Sequence, residues 1–179
     1  MISKDLSVIF PIYNEQETIK ETLLEWKDTL DKLQVKYEII LAEDGSTDNT
    51  KRILNDLLIN NADTFISNIE DKKRGYANAI RSSVKIAKGK YILNVDSDGQ
   101  CDPKDFINFW KKRDVLENGI IIGHRFDRKD SPQRLLMSKF FLILHRILFF
   151  SKVKDPSCPY VLSKNEFFIT INSYLKFMV

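Results

Sequence analysis

The sequence predicts an α/β fold in which helices cover both faces of a mainly parallel sheet. Short apolar runs alternate with segments whose apolar residues recur every three or four positions, which is the pattern of strand–helix–strand units. Polar clusters follow three of the apolar runs, as expected where loops leave the carboxyl ends of parallel strands. Because the 179 residues contain no internal repeat or linker-like segment, we predict a single domain over residues 1–179.

The first part of the chain predicts three strands and three helices. Leu6–Phe10 is a short apolar strand, and Glu17–Leu33 is a helix because its apolar residues are spaced by four, three, four and three. Tyr37–Ala42 predicts the second strand, and a second amphipathic helix follows it. Thr64–Ile69 and Ala77–Ala87 predict the third strand and the third helix.

The rest of the chain continues the alternation and then becomes basic and apolar. Tyr91–Val95 predicts a strand, Asp105–Leu116 a helix and Gly119–Gly123 a further strand. Leu135–Phe150 is the longest apolar run, but it is too short and too often interrupted for a membrane-spanning helix. A cationic, apolar helix of this kind suits either the interface of a membrane with anionic lipid or a buried protein contact.

Composition excludes several classes of protein. The net charge of +3 is too small to indicate nucleic-acid binding, so we expect no nucleic-acid partner. Two cysteines far apart, Cys101 and Cys158, suggest free thiols in a reduced cytoplasmic protein, and the N-terminus lacks the apolar region of a signal peptide. No GxGxxG follows the first strand and no GxxxxGK[ST] occurs, which disfavours a dinucleotide site of the Rossmann type and a P-loop.

The segment DSDGQ, after the strand Tyr91–Val95, has the composition of a metal site. Asp96, Asp98 and Gln100 offer carboxylate and amide oxygens, which Mg²⁺ and Mn²⁺ prefer and which phosphate oxygens of a substrate commonly complement. Two carboxylates held close together raise the free energy of each other's ionisation, and a divalent cation removes that cost. The same residue types are common in turns, so the segment alone also fits an ordinary turn.

The segment EDGSTDNT follows the second predicted strand. Gly45 permits a sharp exit from the strand, and a side chain of residues 46–48 can cap the next helix. Asp44 lies before that cap, where its carboxylate can accept hydrogen bonds from a base or a ribose.

The segment PIYNEQET closes the first predicted strand and opens the first helix. The free N–H groups of such a helix start can bind an anion. Tyr13 can stack on a base and Glu15 can bond to its edge, whereas Asn14 also fits a helix cap without any ligand.

Taken together, the loops and their flanks resemble the family 2 glycosyltransferases, whose fold is the Rossmann-like GT-A type. The resemblance rests on SVIFPIYNEQETI, YEIILAEDGSTDNT, KRGYANAIRSSVKIAKGKYILNVDSDGQCDP and GHRF, in that order and spacing. The later stretch RLLMSKFFLILHRILFFSKVKDPSCPYVLSKNEF is similar to the subgroup that includes dolichyl- and polyprenyl-phosphate sugar synthases. The resemblance implies a nucleotide-sugar-binding half over residues 1–125 and an acceptor-side, membrane-interface half over residues 126–179.

The resemblance also implies residue roles. The nucleotide would be contacted by Pro11, Tyr13, Glu15, Asp44 and Asp96. A divalent cation, Mg²⁺ or Mn²⁺, would be held by Asp96, Asp98 and Gln100. The residues assigned to catalysis are Asp98, Arg125 and Arg134, and the two arginines would bind phosphate charge of donor or acceptor because their planar fork pairs with phosphate oxygens.

The implied reaction is an inverting, metal-dependent transfer of a sugar from a nucleoside diphosphate sugar to an acceptor, with a polyprenyl phosphate as the leading candidate. A saccharide hydroxyl as acceptor would require a general base, for which Asp155 is the candidate. Two other classes stay open: a nucleotide-sugar-binding module without catalysis and, less well matched by PIYNE, a nucleotidyltransferase. We expect a cytoplasmic chain, either free or peripheral on the inner face of the membrane.

Two departures from the subgroup's pattern concern the acceptor side. Ser157-Cys158-Pro159-Tyr160 stands where the subgroup usually has Ser-Gly-aromatic, and Pro159 removes a backbone N–H. Members usually continue beyond the point that corresponds to Val179, into a basic segment and often into membrane helices. The chain is therefore expected to be a minimal enzyme, a truncated one, or a domain that works beside a membrane partner protein.

Overall fold

Strands and helices alternate along the chain as predicted. The computed structural model describes residues 3–115, 119–125, 131–150 and 152–175, without the side chains of residues 115, 134 and 171–175. The elements are β1 (Lys4–Ile12), α1 (Ile19–Lys32), β2 (Tyr37–Asp44), α2 (Thr50–Asn60), β3 (Phe65–Glu70), α3 (Tyr76–Ile86), β4 (Gly89–Asn94), α4 (Phe106–Lys112), β5 (Ile120–Ile122), α5 (Pro132–Phe149), β6 (Val161–Lys164) and α6 (Asn165–Leu175).

The strands form one six-stranded sheet in the order β3-β2-β1-β4-β6-β5. β1 pairs in parallel with β2 and β4, and β2 pairs in parallel with β3. β6 lies antiparallel between β4 and β5. The last strand along the chain therefore occupies an interior position in the sheet. The mainly parallel α/β sheet predicted from the sequence is confirmed.

Alternate residues of the central strands face two separate hydrophobic cores. On one face, α1, α2 and α4 pack against residues such as Val8 and Phe10, and on the other face α3 and α6 pack around Ile9 and Ile92. Trp26 of α1 is fully buried at the centre of the larger core. Its ring centroid lies 5.7 Å from that of Phe10, 6.1 Å from Phe106 and 6.0 Å from Tyr160. Helices therefore cover both faces of the sheet.

The fourth helix is shorter than predicted. The sequence pattern predicts a helix over Asp105–Leu116, whereas α4 spans Phe106–Lys112 between two 3-10 turns at Pro103–Asp105 and Arg113–Val115. The first turn forms because the Asp102 carboxylate accepts a hydrogen bond from the Lys104 N–H at 2.8 Å, with proline at the first turn position. The predicted end, Leu116, lies outside the described residues.

α5 leaves most of its apolar surface uncovered. Leu136, Met137, Phe140, Ile143, Ile147, Leu148 and Phe149 are all more than half exposed, and Phe150 just beyond the helix is 90% exposed. Across the described ranges, no helix has the length and hydropathy that crossing a bilayer requires. A large exposed apolar surface on one helix indicates contact with something other than water.

Candidate functional site

Three loops meet at one edge of the sheet because β2, β1 and β4 are parallel neighbours. We call residues 13–18 after β1 the first rim loop, residues 45–49 after β2 the second rim loop, and residues 95–102 after β4 the third rim loop. These are the polar segments that the sequence singled out. The structure thus brings together side chains that are far apart along the chain.

The first and second rim loops are joined by backbone-to-side-chain hydrogen bonds. The donors and acceptors are Asn14 N–H to Ser46 Oγ at 3.0 Å, Glu15 N–H to Thr50 Oγ1 at 2.9 Å, and Gln16 N–H to Asp48 Oδ2 at 3.3 Å. In return, the Thr47 N–H donates to Asn14 Oδ1 at 2.8 Å. Protein oxygens therefore already accept from the N–H groups of residues 14–16, and anion binding by the start of α1 stays a prediction.

Asn14 is not a helix cap. α1 begins five residues later, at Ile19, and Asn14 instead adopts a left-handed backbone conformation with φ of 56°. Asparagine tolerates this conformation better than most residues. Its side chain acts as a bridge to the second rim loop, so the first loop has a fixed shape.

The third rim loop is attached to β1. The Ser97 hydroxyl is buried and donates to the Pro11 carbonyl at 2.8 Å. Within the loop, the Gln100 N–H donates to Asp98 Oδ1 at 3.0 Å, and Gly99 has a positive φ of 75°. Pro11, predicted to contact the nucleotide, is a buried residue of β1 whose carbonyl positions this loop.

Acidic side chains of the first and third rim loops influence one another. Burial raises the pKa of Asp96, and the negative charge of Asp98 raises it further. Burial also raises the pKa of Glu15; a hydrogen bond from Thr18 opposes this, while the charges of Asp98, Asp48 and Asp96 add to it. These carboxylates lie near one another without enough positive charge to offset their repulsion. The arrangement favours a cation at this edge of the sheet.

Asp96 and Asp98 fit a metal ion whose ligands come partly from the protein and partly from a substrate. Within the described part of the chain, no three His, Cys, Asp or Glu side chains lie close enough together to enclose a metal ion by themselves. Mg²⁺ and Mn²⁺ are commonly held by one or two carboxylates together with water and phosphate oxygens. Two aspartates with mutually unfavourable charges provide that number of ligands, whereas an all-protein metal cage does not fit.

Asp44 connects the second rim loop to the segment before α3. Its side chain is buried and accepts hydrogen bonds from the Arg74 N–H at 2.7 Å and from the Gly75 N–H at 2.8 Å. A carboxylate has about four acceptor positions, so two remain beyond these bonds. Its role towards a base or ribose stays a prediction.

Tyr13 makes a cation–π contact. The Lys73 ammonium lies 3.5 Å from the centre of the Tyr13 ring, and the ring is half-buried. Lys73 therefore covers one ring face, and a stacked base would use the other. The sequence did not single out Lys73, because nothing in KKRGY indicates that this segment crosses the first rim loop.

Gly45 allows the segment before α3 to cross the second rim loop. A Cβ atom at Gly45 would lie 2.4 Å from Lys73 N and 2.5 Å from the Lys72 carbonyl carbon, and Gly45 has a positive φ of 74°. Gly75 has a positive φ of 95° as well, but a Cβ atom there would meet nothing within 4 Å. A side chain at Gly45 would therefore cause both steric crowding and backbone strain, whereas a side chain at Gly75 would cause backbone strain alone.

We expect Gly75→Ala to lower the free energy of unfolding by about 1 kcal/mol through strain alone. Gly45→Ala should cost at least about 2 kcal/mol, since backbone atoms must also move. Urea unfolding of both variants measures the difference. Equal losses would show that the crossing segment moves away freely and does not fix the shape of the loop.

Arg125 forms a two-pronged ion pair with Asp155. Its Nε donates to Asp155 Oδ2 at 2.8 Å and its Nη2 donates to Oδ1 at 3.0 Å, while Nη2 also donates to Ser157 Oγ at 2.8 Å. Burial of the Asp155 carboxyl opposes its ionisation. The hydrogen bonds from Arg125 and Ser157 outweigh that effect and lower the pKa of Asp155 to about 2. A carboxylate that holds a proton so weakly is a poor general base, so the structure removes the candidate that the sequence suggested.

A shallow cavity of about 180 Å³ lies beside this ion pair, between α5 and the segment 154–157. His124, Lys139 and Lys154 line it with Arg125, and Asp155 is the carboxylate among its lining residues. The balance of charge therefore favours an anion. Arg134 was also predicted to bind phosphate. Its backbone lies in α5, but its side chain is outside the described part of the structure.

The structure adds two residues that sequence reasoning missed. The Tyr76 hydroxyl donates to Asp96 Oδ1 at 3.2 Å, and Asn94 Nδ2 donates to the Tyr76 oxygen at 3.1 Å. The same Asn94 nitrogen donates to the Pro159 carbonyl at 3.0 Å. Tyr76 opens α3 and Asn94 ends β4, and no local pattern in the sequence links either residue to Asp96.

The family model described as "Glycosyl transferase family 2" matches residues 7–171. The chain belongs to glycosyltransferase family 2. Its sheet, with acidic loops at the carboxyl ends of parallel strands, is that of the GT-A fold. The family predicted from the sequence is confirmed.

Two curated relatives are similar to most of the chain. The dolichyl-phosphate beta-glucosyltransferase of Dictyostelium discoideum is 31% identical over 179 residues, covering 90% of this chain and 54% of the relative. The undecaprenyl-phosphate 4-deoxy-4-formamido-L-arabinose transferase of Pseudomonas fluorescens (strain SBW25) is 29% identical over 136 residues, covering 73% of this chain and 40% of the relative. The chain thus spans about half the length of these two relatives.

A solved structure of the same fold is the glucosyl-3-phosphoglycerate synthase of Mycobacterium tuberculosis, in complex with Mn²⁺, UDP-glucose and phosphoglyceric acid. The TM-score is 0.61 at 17% identity, with 92% of this chain and 57% of that chain covered. This likeness establishes the fold.

Proposed function

We propose that the chain transfers a sugar from a nucleoside diphosphate sugar to a polyprenyl phosphate, with inversion at the anomeric carbon. The observation that carries the proposal is the pair Asp96 and Asp98, whose carboxylates lie near each other where three loops of a family 2 fold converge. In this proposal the donor is bound within residues 1–125, and the acceptor is faced by residues 126–179 together with His124 and Arg125.

The donor nucleotide would lie across the first and second rim loops. Tyr13 offers its uncovered ring face to the base, and Asp44 has acceptor positions left for a base or ribose. Glu15 and Pro11 border this space, with Pro11 acting through the loop that its carbonyl holds. Because hydrogen bonds fix both loops to each other, the site is preorganised and loses little freedom on binding.

The donor diphosphate would lie against the third rim loop. Asp96, Asp98 and Gln100 would hold a divalent cation, Mg²⁺ or Mn²⁺, which supplies positive charge to the leaving diphosphate when bound. The same-fold neighbour that was solved with Mn²⁺ and UDP-glucose supports a divalent cation as part of the proposal. Asp96 and Asp98 would thereby hold and orient the diphosphate of the donor.

The cavity beside Arg125 would receive the phosphate of the acceptor. Its lysines attract an anion, and the Arg125 fork is held in place by Asp155. A phosphate is already ionised at neutral pH, so its oxygen can attack without a strong general base. The low basicity of Asp155 therefore suits a phosphate better than a saccharide hydroxyl. The names of the two curated relatives support the same acceptor class.

The test is release of the nucleoside diphosphate from a panel of UDP-, GDP-, CDP- and dTDP-sugars in the presence of Mn²⁺. Each donor is offered a short-chain polyprenyl phosphate, the corresponding polyprenol, or a simple sugar. We expect turnover that depends on the phosphate of the lipid. Turnover with the sugar alone would move the acceptor to a hydroxyl, and binding of a nucleotide without turnover would indicate a non-catalytic module.

α5 would hold the chain at a membrane surface where a lipid acceptor resides. Its exposed apolar side chains are accompanied by the exposed cations Lys139, Arg146, Lys152 and Lys154. Apolar burial at the lipid boundary combined with attraction to anionic lipid is how interfacial helices bind. We propose peripheral attachment on this basis.

Phe140→Asp should weaken binding to vesicles that contain anionic lipid by about tenfold or more, because it removes apolar burial and adds a repelled charge. Flotation with phosphatidylglycerol-containing vesicles measures it. Ile59→Asp is the matched control, since Ile59 is an 80% exposed apolar residue of α2 outside this surface. Equal binding by both variants and the unmodified chain would refute attachment through α5.

A further inference from the structure

Three hydrogen bonds link the donor side of the site to the acceptor-side segment. They run from Asn94 to the Pro159 carbonyl (3.0 Å), from Asn94 to the Tyr76 oxygen (3.1 Å) and from Tyr76 to Asp96 Oδ1 (3.2 Å). Asp96 belongs to the third rim loop, whereas Pro159 lies on the segment that also carries Asp155, the partner of Arg125. The connection therefore spans both halves of the proposed site.

Chemistry fixes the direction of each bond. The Pro159 carbonyl can only accept, so the NH₂ group of Asn94 must face it. The second hydrogen of that NH₂ group is directed to the Tyr76 oxygen. A flipped amide would instead place its oxygen against the Pro159 carbonyl oxygen, leaving two acceptors in contact.

The Tyr76 proton is consequently left for Asp96. With its oxygen accepting from Asn94, the phenol uses its hydrogen towards Asp96 Oδ1. A phenol is protonated at neutral pH, so the group is a donor there. About half of the Tyr76 side chain is exposed, so bulk packing does not explain why this ring lies here.

The contribution of Asn94 comes from the two hydrogen bonds that its side-chain NH₂ group donates. It is 5% exposed, and among the described residues its Oδ1 atom has no hydrogen-bond partner. Leaving a buried oxygen without a partner is unfavourable. The position is consistent with the two donated bonds outweighing that loss.

We propose that Tyr76 is a positioning residue which orients the Asp96 carboxylate for the donor site, and that Asn94 sets Tyr76 according to the position of the Pro159 carbonyl. The inference rests on the proposed function and deepens it. A shift of the segment around Pro159, on the acceptor side, would alter the orientation of Asp96 through two side chains. Acceptor-side and donor-side geometry are thereby coupled.

Tyr76→Phe tests the proposal because it removes the hydroxyl and keeps the ring. The readout is the affinity for Mn²⁺ with each of UDP, GDP, CDP and dTDP, measured by calorimetry without any turnover. We expect affinity for the nucleotide that the unmodified chain binds to fall by about tenfold or more, the size of one hydrogen bond to a charged group. A purely structural tyrosine would lower thermal stability and leave this affinity unchanged, which would overturn the proposal.

Tyr37→Phe is the matched control. Tyr37 also donates its hydroxyl to an aspartate, Asp31, but that pair joins β2 to α1 and involves none of the rim loops. The control should bind Mn²⁺ and nucleotide like the unmodified chain. A fall equal to that of Tyr76→Phe would show a general effect of losing a tyrosine hydroxyl and would overturn the proposal.

Asn94→Ala distinguishes a linked set of bonds from independent contacts. If Asn94 acts through Tyr76, the double variant should bind no more weakly than Tyr76→Phe alone. If the losses of affinity of the two single variants multiply in the double variant, the proposed coupling between the two residues is overturned. If the unmodified chain binds none of the four nucleotides, the proposed function fails together with this inference. If it binds and Tyr76→Phe binds equally well, only the inference fails.

Discussion

Asp98→Asn is expected to abolish the metal-dependent stabilisation of the protein by a nucleoside diphosphate. At a ligand concentration of about a hundred times the dissociation constant, the unmodified chain should gain roughly 2.7 kcal/mol of unfolding free energy from the matching nucleotide with Mn²⁺. The variant should gain little, because it lacks one of the two carboxylates that would share the cation. Sugar transfer should fall by roughly a hundred- to a thousandfold, as when one preorganised electrostatic group is lost.

The physical reason is that a bound cation would replace the repulsion between Asp96 and Asp98 by its attraction to both carboxylates. Without a cation, burial and the charge of Asp98 raise the pKa of Asp96, so the Asp96 carboxylate is destabilised in its charged form. Asp98→Asn relieves that repulsion. The ligand-free variant should accordingly be at least as stable as the unmodified chain, while it loses response to metal and nucleotide. Opposite changes of stability and binding are the signature of a ligand site.

Thermal unfolding with UDP, GDP, CDP and dTDP, each with and without Mn²⁺, measures both effects. Asp63→Asn is the control, because it makes the same charge change at an exposed position before β3. If Asp63→Asn also loses the response, the effect is one of net charge. If no nucleotide stabilises the unmodified chain, the proposed donor site is refuted.

The meeting of the three rim loops could be predicted from sequence because parallel strands place their carboxyl ends at one edge. β1, β2 and β4 required only apolar patterning and polar residues at their ends to be recognised. The antiparallel strand β6 between β4 and β5 could not be placed in this way, since its neighbours are distant in the chain. The local period of a strand carries no information about its partners.

The hydrogen bonds and the ion pair within the site could not be predicted from the sequence for the same reason. Asn14 matched a helix cap, yet its side chain bridges to Thr47, more than thirty residues away. Arg125 was assigned to phosphate from its motif, and its ion pair with Asp155 depends on the course of a segment after α5. Residue type predicts which chemistry is available. Which hydrogen bonds are already made within the protein is a property of the tertiary structure.

Asp155→Asn is expected to lower the stability of the protein at neutral pH and to slow transfer more than it weakens nucleotide binding. The carboxylate is 8% exposed and receives both prongs of Arg125. Its pKa is about 2, against a usual value of 3.8. That difference corresponds to about 2 kcal/mol, which solvent around the one-third-exposed Arg125 reduces to about 1–2 kcal/mol.

The pH dependence follows from the direction of the shift. A carboxyl whose pKa is lowered by folding stabilises the folded state above its ordinary pKa, and this stabilisation disappears as pH falls towards the folded-state pKa. For Asp155 that window runs from about pH 4 down to about pH 2. The difference in urea midpoint between Asp155→Asn and the unmodified chain should therefore be largest near neutrality and shrink through this window. A difference independent of pH would assign the loss to packing.

The effect on activity separates the acceptor side from the donor side. With its carboxylate partner removed, Arg125 keeps its charge but loses the bonds that orient its planar fork. Calorimetry with Mn²⁺ and nucleotide should show at most a small loss of affinity, transmitted from Pro159 through Asn94 and Tyr76, because the rim loops themselves are not altered. Transfer to a polyprenyl phosphate should fall by about tenfold or more, the usual consequence of a loosely held charged group. Equal losses in both measurements would mean that Arg125 serves the donor, and the cavity beside α5 would then have to be reassigned.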